Sequence, residues 1–171
     1  MVARGGTVKP AAERVQTELQ VLGLDRKVIE LAVSARTSRE AADALGVQVG
    51  QIAKSLVFTV DGAPVLVVAS GANRVDEDKL GRLAGGRVKR AAPEIVRAVT
   101  GYAIGGVPPL AHQSPLPIYI DQDLGRYDVV YAAAGVPECV FPITAAELAR
   151  VTGGRVADVR EEPGGPAGGA R

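Results

Sequence analysis

The stretch from position 52 to position 71 constrains the fold most, because it predicts a β-hairpin. The segment IAKSLVFTV is apolar and β-branched, the turn DGAP follows it, and VLVVASG completes the pair. Strand alternation places five side chains of the first segment on one face: Ile52, Lys54, Leu56, Phe58 and Val60. Four of them are apolar and the fifth is a lysine.

Two explanations account for Lys54 on an apolar face. Its hydrocarbon stem can lie along the core at the strand end while the ammonium reaches solvent. Alternatively, the ammonium points into a pocket and serves as a cationic anchor for a carbonyl, carboxylate or phosphate group, because few water molecules compete with it there. The residue type alone leaves both explanations open.

Capping residues and hydrophobic periodicity predict four or five helices around the hairpin. They run from Ala11 to Leu22, from the Thr37–Glu40 capping box to Leu45, from Asp76 through Ala84, from Pro93 to near Thr100, and from the Thr144–Glu147 capping box to Gly153.

Further strands are predicted at KVIELAV, RVKRA, IYID, DVVYAAA, ECVFP and RVADV. Several of them follow one another too closely for classical βαβ crossovers. We therefore expect an α+β fold, in which a curled mixed or antiparallel sheet of about seven strands is surrounded by helices.

The chain shows no repeat and no internal linker, so a single domain is expected over residues 10–160. Residues 1–9 are polar and contain glycine, and residues 161–171 are dominated by Gly, Pro and Ala. Segments of this composition cannot bury enough apolar surface to become ordered, so we expect both to be flexible tails.

Composition and charge exclude several classes of protein. The net charge is +1, which does not indicate a strongly basic binder of nucleic acid. One Cys and one His cannot form an internal disulfide or an ordinary zinc site, so no metal and no cofactor are expected. No apolar run is long enough to span a bilayer and no signal peptide is evident, so we expect a soluble cytoplasmic protein without membrane association.

The segment GYAIGGVPPLAH predicts a loop that serves a ligand. Gly105 and Gly106 allow close approach to the backbone and expose N–H groups, which can hold a water molecule or an oxyanion. Pro108 and Pro109 restrict the conformations of the chain behind them. An ordinary surface connection remains the alternative.

Other residues are weaker candidates. His112 is the single histidine and could act as a general base, but no nucleophile motif surrounds it. Cys139 lies in a predicted strand and is best interpreted as a small buried hydrophobe. Asp121 and Gly135 end strands, where they could reach a ligand or simply form turns.

The densest basic stretch is ANRVDEDKLGRLAGGRVKRA. It forms either a solvated helix face or a local patch that contacts phosphate groups. In the second case Arg74, Arg87, Lys89 and Arg90 are the candidate contacts to a nucleic acid.

Taken together, these motifs resemble the YbaK/EbsC aminoacyl-tRNA deacylases, which are free-standing relatives of the editing domain of bacterial prolyl-tRNA synthetases. The resemblance covers about residues 30–159. It rests on ALGVQVGQIAKSLVF, on TGYAIGGVPPL with its Gly-x-x-x-Pro loop, and on LPIYID followed by YAAAG.

The resemblance implies hydrolysis of a small amino acid, such as Cys or Ala, wrongly esterified to proline tRNA, and it offers prolyl-tRNA synthetase as a second partner. The essential lysine of the family falls on Lys54, and its loop glycines fall on Gly105 and Gly106. The candidate substrate-binding residues are Ser55, Ser70, Val107, Pro108, Pro109, His112, Asp121 and Gly135.

Two other functions stay open. The first is a noncatalytic domain of the same fold that binds tRNA or a synthetase. The second is an unrelated small-molecule hydrolase that uses His112. Neither the amino acid removed, nor the oligomeric state, nor the choice between water and a substrate group as nucleophile follows from the sequence.

Overall fold

The computed structural model describes residues 9–33 and 35–163, and within them eight strands form one curled mixed sheet flanked by five α-helices. The helices are α1 (Pro10–Val21), α2 (Ser38–Leu45), α3 (Glu77–Ala84), α4 (Pro93–Thr100) and α5 (Ala145–Thr152). The strands are β1 (Ile29–Glu30), β2 (Ile52–Val60), β3 (Ala63–Ser70), β4 (Val88–Arg90), β5 (Ile118–Asp121), β6 (Val130–Ala133), β7 (Cys139–Ile143) and β8 (Arg155–Ala157).

The helix boundaries follow the capping residues. The Thr37 hydroxyl accepts a hydrogen bond from Glu40 N at 3.1 Å, and the Thr144 hydroxyl accepts one from Glu147 N at 3.0 Å. Both are complete capping boxes, because each glutamate also accepts from the backbone at the cap. Asp76 caps α3, as predicted, because its side chain accepts hydrogen bonds from Asp78 N and Lys79 N. The helices predicted from the sequence are therefore confirmed.

The predicted α+β architecture is also confirmed. The strand order is β1-β7-β6-β2-β3-β5-β8, and β4 pairs with β2 outside this path. The hairpin β2–β3 is antiparallel from Ala53 opposite Ser70 to Val60 opposite Ala63. The pairs β2–β6, β3–β5 and β5–β8 are parallel, so the sheet is mixed.

The first predicted strand is much shorter than expected. Of the segment KVIELAV, only Ile29 and Glu30 form strand pairs, with Val140 and Cys139 of β7. Leu31 N donates one more hydrogen bond, to Glu138 O, and the chain then turns toward the Thr37 cap. The Arg36 and Thr37 N–H groups donate to Glu40 Oε1, so the end of this connection belongs to the cap of α2.

One edge of β2 is only partly covered. Its other edge pairs with β3 along the whole hairpin, whereas on this edge β6 pairs with Ile52 and Ala53, and β4 pairs with residues 58–60. Residues 54–57 therefore have a strand partner on the β3 side alone. This gap between β6 and β4 opens the sheet next to Lys54.

Helix α1 packs its apolar stripe into the main core. Ala12, Val15 and Leu19 are fully buried, and their cluster includes Ala53 and Val57 of β2. A second cluster around Phe58 and Leu80 lies under α3. No helix in the described residues is long and apolar enough to cross a membrane.

The ordered chain extends slightly beyond the predicted domain. Lys9 Nζ lies 2.6 Å from a Glu138 carboxylate oxygen, and Glu161 N donates to Arg74 O at 2.8 Å. Glu162 pairs with Lys79. The predicted tails, 1–9 and 161–171, include these three residues, so contacts with the domain extend slightly beyond residues 10–160. The remaining tail positions, 1–8 and 164–171, lie outside the described residues.

Candidate functional site

A cavity of about 420 Å³ opens at the gap in the β2 edge. Its walls come from β2, from the loop before α2, from the start of α4 and from the loop that follows α4. Five residues predicted from the sequence line it together: Lys54, Ser55, Arg90, Gly105 and Val107. The structure thus brings the lysine and the glycine loop to one site.

Lys54 is partly buried in this cavity and forms no hydrogen bond or salt bridge within the described residues. Burial lowers the pKa of the Lys54 ammonium, and the neighbouring guanidinium groups of Arg90 and Arg74 lower it further. Asp121 acts in the opposite direction as the smallest contribution. A desolvated cation without a close counterion attracts an anion or a carbonyl oxygen.

The charged residues that line the cavity are all cationic. They are Arg36, Lys54 and Arg90, and among residues 9–33 and 35–163 no Asp or Glu lines the cavity. Arg90 also lies over the Phe58 ring, with its guanidinium carbon 5.6 Å from the ring centroid. A chain with a net charge of only +1 therefore concentrates positive charge at this one mouth.

The loop opposite Lys54 is closed on itself. Gln113 N donates to Thr100 O and Ser114 N donates to Val99 O, both at 3.0 Å, so the loop ends meet. Tyr102, Val107 and Leu110 are buried inside it. This is the arrangement of an Ω-loop, which keeps a fixed shape through its own side chains.

The two loop glycines differ in whether their N–H groups already form a hydrogen bond. Gly105 lines the cavity, has a φ of +95°, and its N–H forms no hydrogen bond in the described part of the chain. Gly106 N instead donates to Ala103 O at 3.0 Å. The expectation that both N–H groups polarise a substrate carbonyl is corrected for Gly106, because a turn already occupies its donor.

Gly106 has a packing role. A Cβ at this position would lie 2.6 Å from Gly135 O and 2.8 Å from Val136 Cα, so a side chain has no room. Gly135, with a φ of +95°, is equally confined, because a Cβ there would lie 2.8 Å from Ala11 Cβ. Glycine at these positions lets the loop, the β6–β7 turn and α1 lie in close contact.

His112 and Gly135 line a different cavity. This second cavity, of about 980 Å³, lies between α1 and the outer side of the loop. His112 Nε2 bonds to Pro108 O at 2.7 Å, which requires Nε2 to be the donor. Burial lowers the pKa of His112. Pro108 and Pro109 are buried in the loop and lie outside the lining of the Lys54 cavity.

Ser70 and Asp121 belong to a closed polar network instead of the cavity wall. Asp121 accepts hydrogen bonds from Ser70 N at 3.0 Å, Asn73 Nδ2 at 2.9 Å and Asp123 N at 2.9 Å. The Ser70 hydroxyl donates to Gly50 O at 2.8 Å. Arg160 joins the network through Asp123 at 3.0 Å. These buried groups satisfy one another, as structural polar groups do.

Ser55 differs from Ser70 in this respect. Its hydroxyl oxygen is the single buried side-chain N or O atom without a hydrogen-bond partner among the described residues. Ser55 is also a lining residue of the cavity, although alternation along β2 directs its side chain to the face opposite that of Lys54.

The predicted basic patch is divided. Arg90 lines the cavity, whereas Arg87 lies in a separate groove with Glu77 and Asp78. Lys89 is exposed, and alternation along β4 directs its side chain to the face opposite that of Arg90. Arg74 is exposed and close enough to lower the pKa of Lys54.

The remaining titratable candidates give no sign of chemistry. Cys139 is buried, and burial raises the pKa of its thiol to about 11. Within residues 9–33 and 35–163, no group of three His, Cys, Asp or Glu side chains is arranged to hold a metal ion.

Several residues of the cavity escaped sequence reasoning. Three that carry polar or large side chains, or lie in a sequence motif, are Arg36, Ile104 and Tyr131, and most of the apolar lining residues were not predicted either. Tyr131 lies within the YAAAG motif and Ile104 within the glycine loop, so the sequence motifs already indicated the segments in which they lie. Arg36 comes from the loop before α2, which enters the site only through the tertiary fold.

Several known proteins are similar to this chain in sequence or in fold. The chain is 32% identical over 143 residues to YwhH, an uncharacterised protein of Bacillus subtilis, covering 83% of this chain and 91% of YwhH. A 75-residue segment is 36% identical to a proline–tRNA ligase of Maridesulfovibrio salexigens, covering 43% of this chain and 13% of the ligase.

The crystal structure of a candidate trans-editing enzyme for prolyl tRNA synthetase superposes with a TM-score of 0.88 at 49% identity, covering 91% of this chain and all of that one. The family model of the aminoacyl-tRNA editing domain matches residues 32–151, which include the hairpin and the glycine loop. The chain therefore belongs to the aminoacyl-tRNA editing domain family.

Proposed function

We propose that this protein is a trans-acting deacylase that removes a small amino acid, Cys or Ala in type, from mischarged proline tRNA. One observation carries the proposal. The cavity at the β2 gap contains a partly buried lysine and the Gly105 N–H, neither of which has a hydrogen-bond partner in the described part of the chain, and its charged lining residues there are all cations. That combination suits the 3′ end of an aminoacylated RNA, which has an ester carbonyl and a phosphate close together.

The size of the cavity supports a ligand of this kind. A volume of about 420 Å³ is within the usual range of about 300–1,000 Å³ for small-ligand sites. It accommodates the terminal nucleoside with its amino acid and leaves the helical stem outside. Ala35, Ala41, Ala53 and Ala133 line the walls, which suits a small side chain.

Positioning and charge stabilisation are sufficient chemistry for this substrate. An aminoacyl ester is already activated, so the reaction needs no Ser-His-Asp set. Lys54 anchors the ester end near the terminal phosphate, and Gly105 N–H polarises the ester carbonyl. Water, oriented by the protein or by the ribose 2′-OH, attacks the acyl carbon, and the bond from that carbon to the ribose oxygen breaks. The ribose oxygen leaves with one proton of the water, and the oxygen of the water remains in the carboxyl group of the free amino acid.

The relatives support tRNA as the partner. The solved structure at 49% identity is a candidate trans-editing enzyme for prolyl tRNA synthetase, and several curated relatives are proline–tRNA ligases. We extend this partnership to the present chain, including an association with the synthetase.

A deacylation panel tests the proposal. Ala, Cys, Ser, Thr and Pro are each esterified to proline tRNA, and Cys and Ser also to their own tRNAs. We expect rapid release of Ala or Cys from proline tRNA and slow release of Pro. Lys27→Ala removes an exposed lysine outside the cavity lining and serves as the matched control for Lys54→Ala.

A result of tRNA binding without release of any amino acid would contradict the enzymatic proposal. It would favour the noncatalytic binding module that shares this fold.

A further inference from the structure

Helix α1 lies outside the segment that the family model matches, yet it supports the glycine loop directly. The match begins at residue 32, whereas α1 spans Pro10–Val21. Ala11 and Arg14 are three residues apart and therefore project from one side of the helix, and both line the second cavity behind the loop. The family match alone thus gives this helix no role in the site.

The first contact is a stack of backbone layers. Gly106 of the loop rests on Gly135, and Gly135 rests on Ala11 of α1. Each layer is so close that a Cβ on either glycine would come within 2.9 Å of the next layer. Because the facing atoms are backbone atoms or the Cβ of Ala11, they cannot rotate away, so a shift of α1 would be transmitted to Gly106.

The second contact is a cation–π interaction. The Arg14 guanidinium carbon lies 4.8 Å from the centroid of the Tyr102 ring, and Arg14 Nη2 donates a long hydrogen bond of 3.4 Å to Gly101 O. Tyr102 is the internal support of the loop, since it is 2% exposed and its hydroxyl donates to Ala111 O at 2.9 Å. Arg14 thus covers the side chain around which the loop is built.

Resting on the proposed deacylase function, we propose that Arg14 is a positioning residue for the reaction. It contacts neither Lys54 nor the cavity of the substrate. It acts through Tyr102, by holding the loop so that Gly105 N–H stays in place opposite Lys54. The fold itself does not depend on it, because Arg14 is exposed and the buried residues of α1 are Ala12, Val15 and Leu19.

Two variants and one control test this role. Arg14→Ala removes the guanidinium, and Arg14→Lys keeps a charge but loses the planar face that lies on the ring. Thr17→Ala changes another exposed α1 residue of the same cavity and is the matched control. The measurements are kcat and KM for deacylation, the melting temperature, and hydrogen exchange of the amides in residues 101–112.

We expect Arg14→Ala to lower kcat about 10-fold, because small misplacements of a catalytic group have large effects on rate. KM for the tRNA and the melting temperature stay close to those of the wild type, and the loop amides exchange faster. Arg14→Lys recovers part of kcat, and Thr17→Ala matches the wild type. In a Tyr102→Leu background, Arg14→Ala has little additional effect, since the two act as one unit.

Unchanged loop exchange and unchanged kcat in Arg14→Ala would overturn the inference, as would an Arg14→Ala effect that persists in full in the Tyr102→Leu background. Hydrogen exchange does not depend on the reaction. A wild-type protein that releases no amino acid therefore contradicts the proposed function, while the exchange of the loop amides still decides whether Arg14 holds the loop.

Discussion

Two polar regions lie on either side of the β2–β3 hairpin, and they use similar residues for opposite purposes. Of the residues that line the cavity, Lys54 and the Ser55 hydroxyl have no partner among the described residues. In the network around Asp121, every group that we describe donates to or accepts from another group. The comparison shows that a candidate binding site differs from a structural polar network in whether its polar groups have hydrogen-bond partners, and not in which residue types it contains.

A pair of lysines shows the same contrast. Lys79 lies 2.9 Å from Asp158 and donates to Arg160 O at 2.8 Å, and hydrogen bonds to Glu162 and Asp158 outweigh burial and raise its pKa. Burial and two arginines lower the pKa of Lys54. Lys79 holds the C-terminal segment, whereas Lys54 keeps its charge available for a ligand.

The largest expected effect is that of Lys54→Ala on deacylation. Loss of a charge-assisted contact in a dry site lowers the rate by about 30- to 1,000-fold. Lys54→Arg restores the rate partly, because its donor geometry differs. Lys54→Met keeps the apolar stem and folds at least as well as the wild type. Rates on one misacylated tRNA, with circular dichroism as the folding control, check this. Near wild-type rates in all three variants would mean that Lys54 is only a lysine at the edge of the core.

Asp121→Ala is expected to affect stability instead of chemistry. It leaves Ser70 N and Asp123 N without their buried acceptor, which costs about 3 kcal/mol in the free energy of unfolding. Denaturant unfolding measures the loss, and deacylation is measured at a temperature where the variant is folded. An Asp121→Ala protein of unchanged stability but without activity would support the substrate-binding role that the sequence predicted for Asp121.

Charge reversal at β4 separates residues that the sequence grouped together. Arg90→Glu is expected to weaken tRNA binding about 10-fold and to reduce the salt dependence by about one phosphate contact. Lys89→Glu makes the same charge change on the opposite face of the strand, so its effect is smaller. Binding titrations at several salt concentrations check this. Equal effects of the two variants would restore the single patch predicted from the sequence.

The smallest expected effect is a shift in pH dependence. The folded pKa of Lys54 lies below its ordinary value of 10.5, so activity that needs the cation is lost at a lower pH than an exposed lysine would allow. Arg90→Gln removes one cause of this lowering and moves the loss to higher pH. The enzymatic rate is measured after subtraction of the alkaline hydrolysis of the ester.

The stability of the fold has a pH dependence opposite to that of the activity. Between the folded pKa of Lys54 and 10.5 the unfolded chain binds more protons, so the free energy of unfolding rises with pH. Lys54→Met is expected to abolish this rise, which equilibrium unfolding over the alkaline range measures. If the free energy of unfolding still rises with pH in Lys54→Met, the titration of another group causes the rise.

Much of the fold was predictable because the deciding interactions are local. Capping boxes connect residues three apart, and the hairpin follows from alternation around an Asp-Gly turn. The presence of Lys54 and Gly105 in the lining of one cavity also agrees with the sequence pattern. What sequence reasoning missed is nonlocal: Asp121 meets Ser70 across 51 residues, and the donor of Gly106 is already used in a turn that the sequence does not reveal.

The closure of the glycine loop at Thr100 and Gln113 has an evolutionary consequence. Because the loop ends are bonded to each other, its exposed positions, Ala103 and Ile104, can be substituted without altering strand register on either side. Since Ile104 also lines the cavity, such substitutions change one wall of the cavity while the hairpin that carries Lys54 stays the same.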